Sequence, residues 1–138
     1  MPAETGWHAL DDGAAAVGIF PDSGFCKNIV ACDTNIYKLF INTHLNFDKI
    51  KGQLFWRARA PGDALLWRGH HHAVKKLFQQ NHLSPADRAR LPFLCDEEGI
   101  VFLPGVGVRD GVFDRDADGC AAVALYFPNS TQGKDFVR

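Results

Sequence analysis

The sequence predicts an α+β domain with a sheet-dominated core. Three observations support this. Short apolar runs bounded by Gly, Pro, Asn and Asp recur along the chain. Only residues 71–81 show the helical period of about 3.6. Strand-like segments stand on both sides of that stretch, which is the order of an α+β fold rather than of alternating βαβ units. At 138 residues, 46% hydrophobic and with eleven Phe, the chain is one domain with enough apolar surface for a real core.

Residues 1–13 are rich in Gly, Ala and Asp and are expected to be loosely held. A-A-A-V-G-I-F, residues 14–20, reads as a buried strand stopped by the P-D-S-G turn. Strands are expected at 27–32 and 36–42, joined at Asp33-Thr34-Asn35, so that 14–46 forms a β-hairpin region. Residues 53–59, Q-L-F-W-R-A-R, alternate as a strand with Phe55, Arg57 and Arg59 on one face, and A-P-G-D ends it.

In 71–81, Val74, Leu77 and Phe78 share one helical face and Lys75, Lys76 and Gln79 point elsewhere. Ser84-Pro85-Ala86-Asp87 is a helix start, with Ser as N-cap and Pro in the first turn; Pro92 keeps that helix short. L-P-F-L-C, then D-E-E-G, then I-V-F-L-P-G reads as a hairpin with an exposed acidic tip. After a polar loop at 109–119, residues 120–127 form the last strand. No linker is evident inside 14–127, and 128–138 is expected to be a tail.

Charge is distributed unevenly. Residues 49–90 hold nine of the fifteen Lys and Arg and only two acids, Asp63 and Asp87. That stretch carries +7 within a chain of net charge −1, leaving −8 elsewhere. Concentrated Lys and Arg displace the counterions condensed on phosphates, so a polyanion surface is one reading and a solvated basic face the other. No apolar run approaches the ~18 residues of a membrane span, and residues 1–12 do not read as a secretory leader. Cys26, Cys32, Cys95 and Cys120 form no tight framework, so a cytoplasmic protein with reduced thiols is expected.

Signatures of catalysis and of metal binding are weak. The run Gly69-His70-His71-His72 places its histidines side by side, whereas a closed metal site gathers ligands from separate elements. Cys26 and Cys32 are too far apart for the usual zinc pair. D-R-D-A-D-G at 114–119 resembles half a calcium loop, but Leu125 stands where the bidentate Glu is required. There is no Walker loop, no dinucleotide fingerprint and no nucleophile elbow. What remains is the basic segment. If the strand presents Arg57 and Arg59 and the helix presents Lys75 and Lys76, they are expected to form one phosphate-contacting surface, extended by Arg68 and Arg88. Such contacts position an RNA without reading its bases. Trp56 and Trp67 are expected in the core rather than stacked on bases.

Residues 47–111 resemble the C-terminal domain of tRNA(Ile)-lysidine synthetase. The resemblance rests on Phe47-Asp48, then Arg57, Arg59, Gly62 and Asp63, then Gly69, Lys75-Lys76-Leu77-Phe78, Arg88, Leu91-Pro92 and Asp96, and the run from Ile100-Val101 to Pro104-Gly105. It implies a domain over 47–127 with a β-sandwich-like core and one or two short helices, similar to a domain of the phenylalanyl-tRNA synthetase β subunit. Gly62, Asp63, Gly69, Pro104 and Gly105 would then be turn formers.

Enzymes of the family use ATP to activate an anticodon cytidine of an isoleucine tRNA and join lysine to it. ATP and Mg belong to an N-terminal domain with an S-G-G-x-D-S loop, which these residues lack. The resemblance therefore implies a tRNA-docking module that holds the acceptor stem, is not catalytic alone and has no cofactor of its own. Its partners would be tRNA and a catalytic domain outside this chain. The alternative is a protein-interaction module derived from the family, whose basic face docks an acidic partner or a second copy.

Overall fold

The structure, a computed structural model, describes residues 3, 5–10, 15–21 and 36–126. Ten strands and two short α-helices are described: β1 Gly6–Ala9, β2 Ala15–Phe20, β3 Ile36–Leu45, β4 Phe55–Arg57, β5 Ala64–Trp67, β6 His70–Ala73, α1 Val74–Gln80, α2 Pro85–Arg90, β7 Phe93–Asp96, β8 Gly99–Leu103, β9 Gly107–Val108 and β10 Gly119–Tyr126. The fold is α+β with a sheet-dominated core.

The strands form two four-stranded sheets, ordered β1-β2-β10-β3 and β4-β7-β8-β9, and the two-stranded hairpin β5-β6. All pairings between these strands are antiparallel. β2 and β3 do not pair with each other: β10, from the end of the described chain, lies between them. The segment before residue 47 and the last strand therefore share one sheet.

One apolar cluster joins the layers. Val17, Ile19, Val123 and Leu125 enter it from the first sheet, Trp56, Leu94 and Phe102 from the second, Leu65 from the β5-β6 hairpin and Leu77 and Phe78 from α1. β10 is central and buried along its whole length. Its odd positions point into this cluster, whereas Cys120 and Ala122 pack with Phe20, Trp7 and Ile41 on the other face.

The α2 cap forms as the sequence implies, with Ser84 Oγ accepting from the Asp87 N–H at 3.1 Å and Pro85 in the first turn. The β7-β8 hairpin and the core position of Trp56 also follow expectation. Three expectations need correction. Residues 6–9, expected to be loose, form β1 and pair with β2. Residues 64–67, for which no element is expected, form β5. The histidine run is strand rather than helix start: His70–Ala73 pairs with Ala64–Trp67, and the helix begins at Val74. Cross-strand pairing on an adjacent two-residue turn outweighs the helical period there. The strand expected at 27–32, the turn at Asp33-Thr34-Asn35 and the tail at 128–138 lie outside the described residues, as do Cys26 and Cys32.

Candidate nucleic-acid interface

The R-A-R-A-P-G-D segment is a turn tied on itself. Arg57 Nη1 and Nη2 donate to Asp63 Oδ2 and Oδ1 at 2.9 and 2.8 Å, and the Ala60 N–H donates to Oδ2 at 2.8 Å. Gly62 supplies the left-handed φ of 81° that the reversal requires. The Asp63 carbonyl accepts the Val74 N–H at 2.9 Å, which ties the turn to the start of α1. Burial pushes the Asp63 carboxyl up, but the Arg57 guanidinium and the Ala60 amide outweigh it and hold it below the ordinary carboxylate range.

Between this turn and α1 lies an open cleft of about 430 Å3, with Arg59, Pro61, Gly62, Asp63, Val74 and Lys75 on its walls. Arg59 is exposed and its guanidinium lies 5.6 Å from the centre of the Phe78 ring, a cation–π contact that steadies the side chain without neutralising it. Lys75 and Lys76 are exposed on the next element. Among the described residues neither they nor Arg59 form an ion pair. The structure thus brings Arg59 and Lys75 together on one cleft, with exposed Lys76 following Lys75 on α1. Arg57 is beside them but turned onto Asp63.

Arg68 stands at the tip of the β5-β6 hairpin, with Gly69. Both have positive φ, 53° and 84°, as a type I′ turn needs. The Asp110 carboxylate accepts both turn amides, Arg68 N–H at 3.0 Å and Gly69 N–H at 2.8 Å. Those hydrogen bonds, that of Gly69 first, hold the exposed Asp110 carboxyl below its usual range. The Arg68 guanidinium lies 4.2 Å from the centre of the Trp67 ring. Arg88 is half-buried, and its Nε donates to the Leu83 carbonyl at 2.7 Å. Pro104 and Gly105 form the β8-β9 turn, where the Leu83 side chain packs closely over Gly105.

The acidic hairpin also needs correction. Glu97 and Glu98 are exposed, but Asp96 is 2% exposed. It takes two hydrogen bonds of 2.7 Å from Arg109 and further ones from the Lys51 and Glu98 amides. Neither Asp96–Arg109 nor the Asp110 clamp has a local sequence signal, since each joins elements far apart in the chain. The Asp114–Asp118 segment is an Asx-type turn, with Asp114 accepting the Asp116 N–H at 3.0 Å. Leu125 is core. Among the described residues no three His, Cys, Asp or Glu side chains are grouped to hold a metal ion, and no helix is long and apolar enough to cross a membrane.

Comparison with known proteins gives the same frame. No curated protein matches the chain. A solved structure described as "Crystal structure of TILS C-terminal domain" superposes with a TM-score of 0.56 at 17% identity, over 94% of this chain and 95% of that one; at that identity the likeness establishes the fold. A family model described as the TilS substrate C-terminal domain matches residues 54–125, from just before the Arg57–Asp63 turn to the end of the central strand. With the turn, the cleft and the basic helix inside that match, the chain belongs to the TilS substrate C-terminal domain family.

Proposed function

We propose that this chain is the tRNA-docking part of, or a derivative of, tRNA(Ile)-lysidine synthetase, and that it binds the acceptor stem through phosphate contacts without catalysing the ligation itself. The observation that carries the reading is the open cleft walled by Arg59 and Lys75, with exposed Lys76 next along α1 and none of the three in an ion pair among the described residues, within a domain of the TilS family. These three side chains take backbone phosphates. Arg68 extends the contact along the hairpin, and Arg88 is its outlying member. Arg57 acts chiefly from behind, because Asp63 shares its guanidinium. An A-form stem hides its base edges in a deep groove, so a surface of exposed cations suits its shape better than its sequence.

The test is a titration of the 15N-labelled chain with an unmodified isoleucine tRNA, followed by amide chemical shifts. Shifts are expected to concentrate at 59–64 and 73–76, with the acidic loop at 114–118 silent. Shifts on the acidic loop that grow with protein concentration alone would favour self-association through opposite charges instead.

A further inference from the structure

The tip of the β5-β6 hairpin is built in a way that phosphate contact does not require. Type I′ turns favour Asn, Asp or Gly at the first central position, because a larger side chain meets its own backbone at positive φ. This chain has Arg68 there, at φ 53°. The turn is held in that shape by Asp110, whose two carboxylate oxygens take the two turn amides. The consequence is the placement of the Arg68 guanidinium over Trp67, 4.2 Å from the ring centre. Trp67 is itself fixed. It is half-buried against the core, its Nε1 edge faces Gly107, and the His72 ring meets it edge-on at 6.1 Å. Arg68 is exposed and forms no ion pair among the described residues.

We infer that the Trp67–Arg68 pair is a stacking platform for an unpaired nucleobase. A guanidinium backed by an indole is planar and weakly hydrated, and it keeps one face free for the π-face of a base. The inference rests on the RNA-docking reading and adds a second subsite of different chemistry. The two subsites lie at the two ends of the same hairpin. Ala64 and Ala73 line the cleft at the root of the hairpin, and Trp67 is three residues further along β5. At ~3.3 Å per residue the hairpin backbone covers roughly 10 Å between the two. A strand whose phosphates lie at Arg59 and Lys75 and whose path continues along the hairpin brings an unpaired base to Arg68. The ligand class is a duplex RNA end with a short single-stranded extension.

The experiment compares two RNA hairpins in binding to the whole chain, one with a three-nucleotide unpaired 3′ tail and one with the same tail made of abasic sites. The two probes carry equal charge, so phosphate contacts cancel in the ratio of their affinities. The wild-type chain is expected to prefer the intact tail by about tenfold. Arg68→Lys keeps the charge and loses the plane, so the ratio falls to near one. Arg68→Ala does the same, and thermal melting of both variants checks that the fold is retained. A ratio that persists in Arg68→Lys, or a wild-type chain that binds both hairpins equally, overturns the platform while leaving the docking reading intact. Failure to bind either hairpin overturns both.

Discussion

Asp63 is held by Arg57 through two hydrogen bonds, of 2.9 and 2.8 Å, and it also caps the Ala60 amide, so one carboxylate fixes both limbs of the turn that carries Arg59. This sets the sign of a simple test. Asp63→Asn removes a negative charge from the edge of a cationic surface, and by charge alone it would tighten RNA binding. Because the turn loses its charge-assisted clamp, weaker binding is expected, with a stability loss of about 2 kcal/mol in urea unfolding. Tighter binding at unchanged stability would show that the clamp does not position Arg59.

The buried pair Asp96–Arg109 governs acid stability. Burial pushes the Asp96 carboxyl up, but hydrogen bonds from Arg109 and from the Lys51 and Glu98 amides outweigh it and leave it at about 2. The unfolded chain therefore takes up this proton first as pH falls. The stabilisation is complete above about pH 4 and drains away toward pH 2, at a cost of roughly 2 kcal/mol. Asp96→Asn should flatten that part of the stability-versus-pH curve. It should also destabilise the domain at neutral pH by about 3–5 kcal/mol, because it strands a buried guanidinium. An unchanged acid limb in the variant would contradict the assignment.

Gly119 completes the D-R-D-A-D-G run for a packing reason. A Cβ there would collide with the Leu45 carbonyl oxygen on β3 and press on the Phe47 ring. Gly119→Ala should cost about 1–3 kcal/mol in thermal or urea unfolding, with no change on adding calcium. Stabilisation of the wild type by calcium would restore the metal reading.

Ser84 caps α2 through its side chain. Ser84→Ala should lower stability by about 1 kcal/mol, and Ser84→Asp should recover most of it. No loss in Ser84→Ala would mean that the cap contributes nothing.

Signals carried within a few residues are legible in the sequence. The Ser84-Pro85 start, the alternation around Trp56, the β7-β8 hairpin and the Val74, Leu77, Phe78 face all appear where local chemistry places them. The β5-β6 hairpin is hidden because its turn is Arg-Gly rather than Asn-Gly, and because adjacent histidines carry no apolar alternation. Asp96 reads locally as a surface acid, since its partner Arg109 is thirteen residues away on the far side of a second turn. The cleft is half visible. Its cations can be named from the sequence, but that Arg57 faces Asp63 whereas Arg59 faces solvent depends on the folded turn.

Lys75 and Lys76 are proposed to meet RNA phosphates. The most direct test of this contact is the affinity for unmodified isoleucine tRNA measured across a salt series, for the wild type and for the Lys75→Glu/Lys76→Glu double variant. A steep dependence of log affinity on log salt is predicted for the wild type. The variant should bind more weakly, and its slope should be shallower by about 0.7–0.9 for each phosphate that is no longer neutralised. The same affinity and slope in both proteins would contradict the claim.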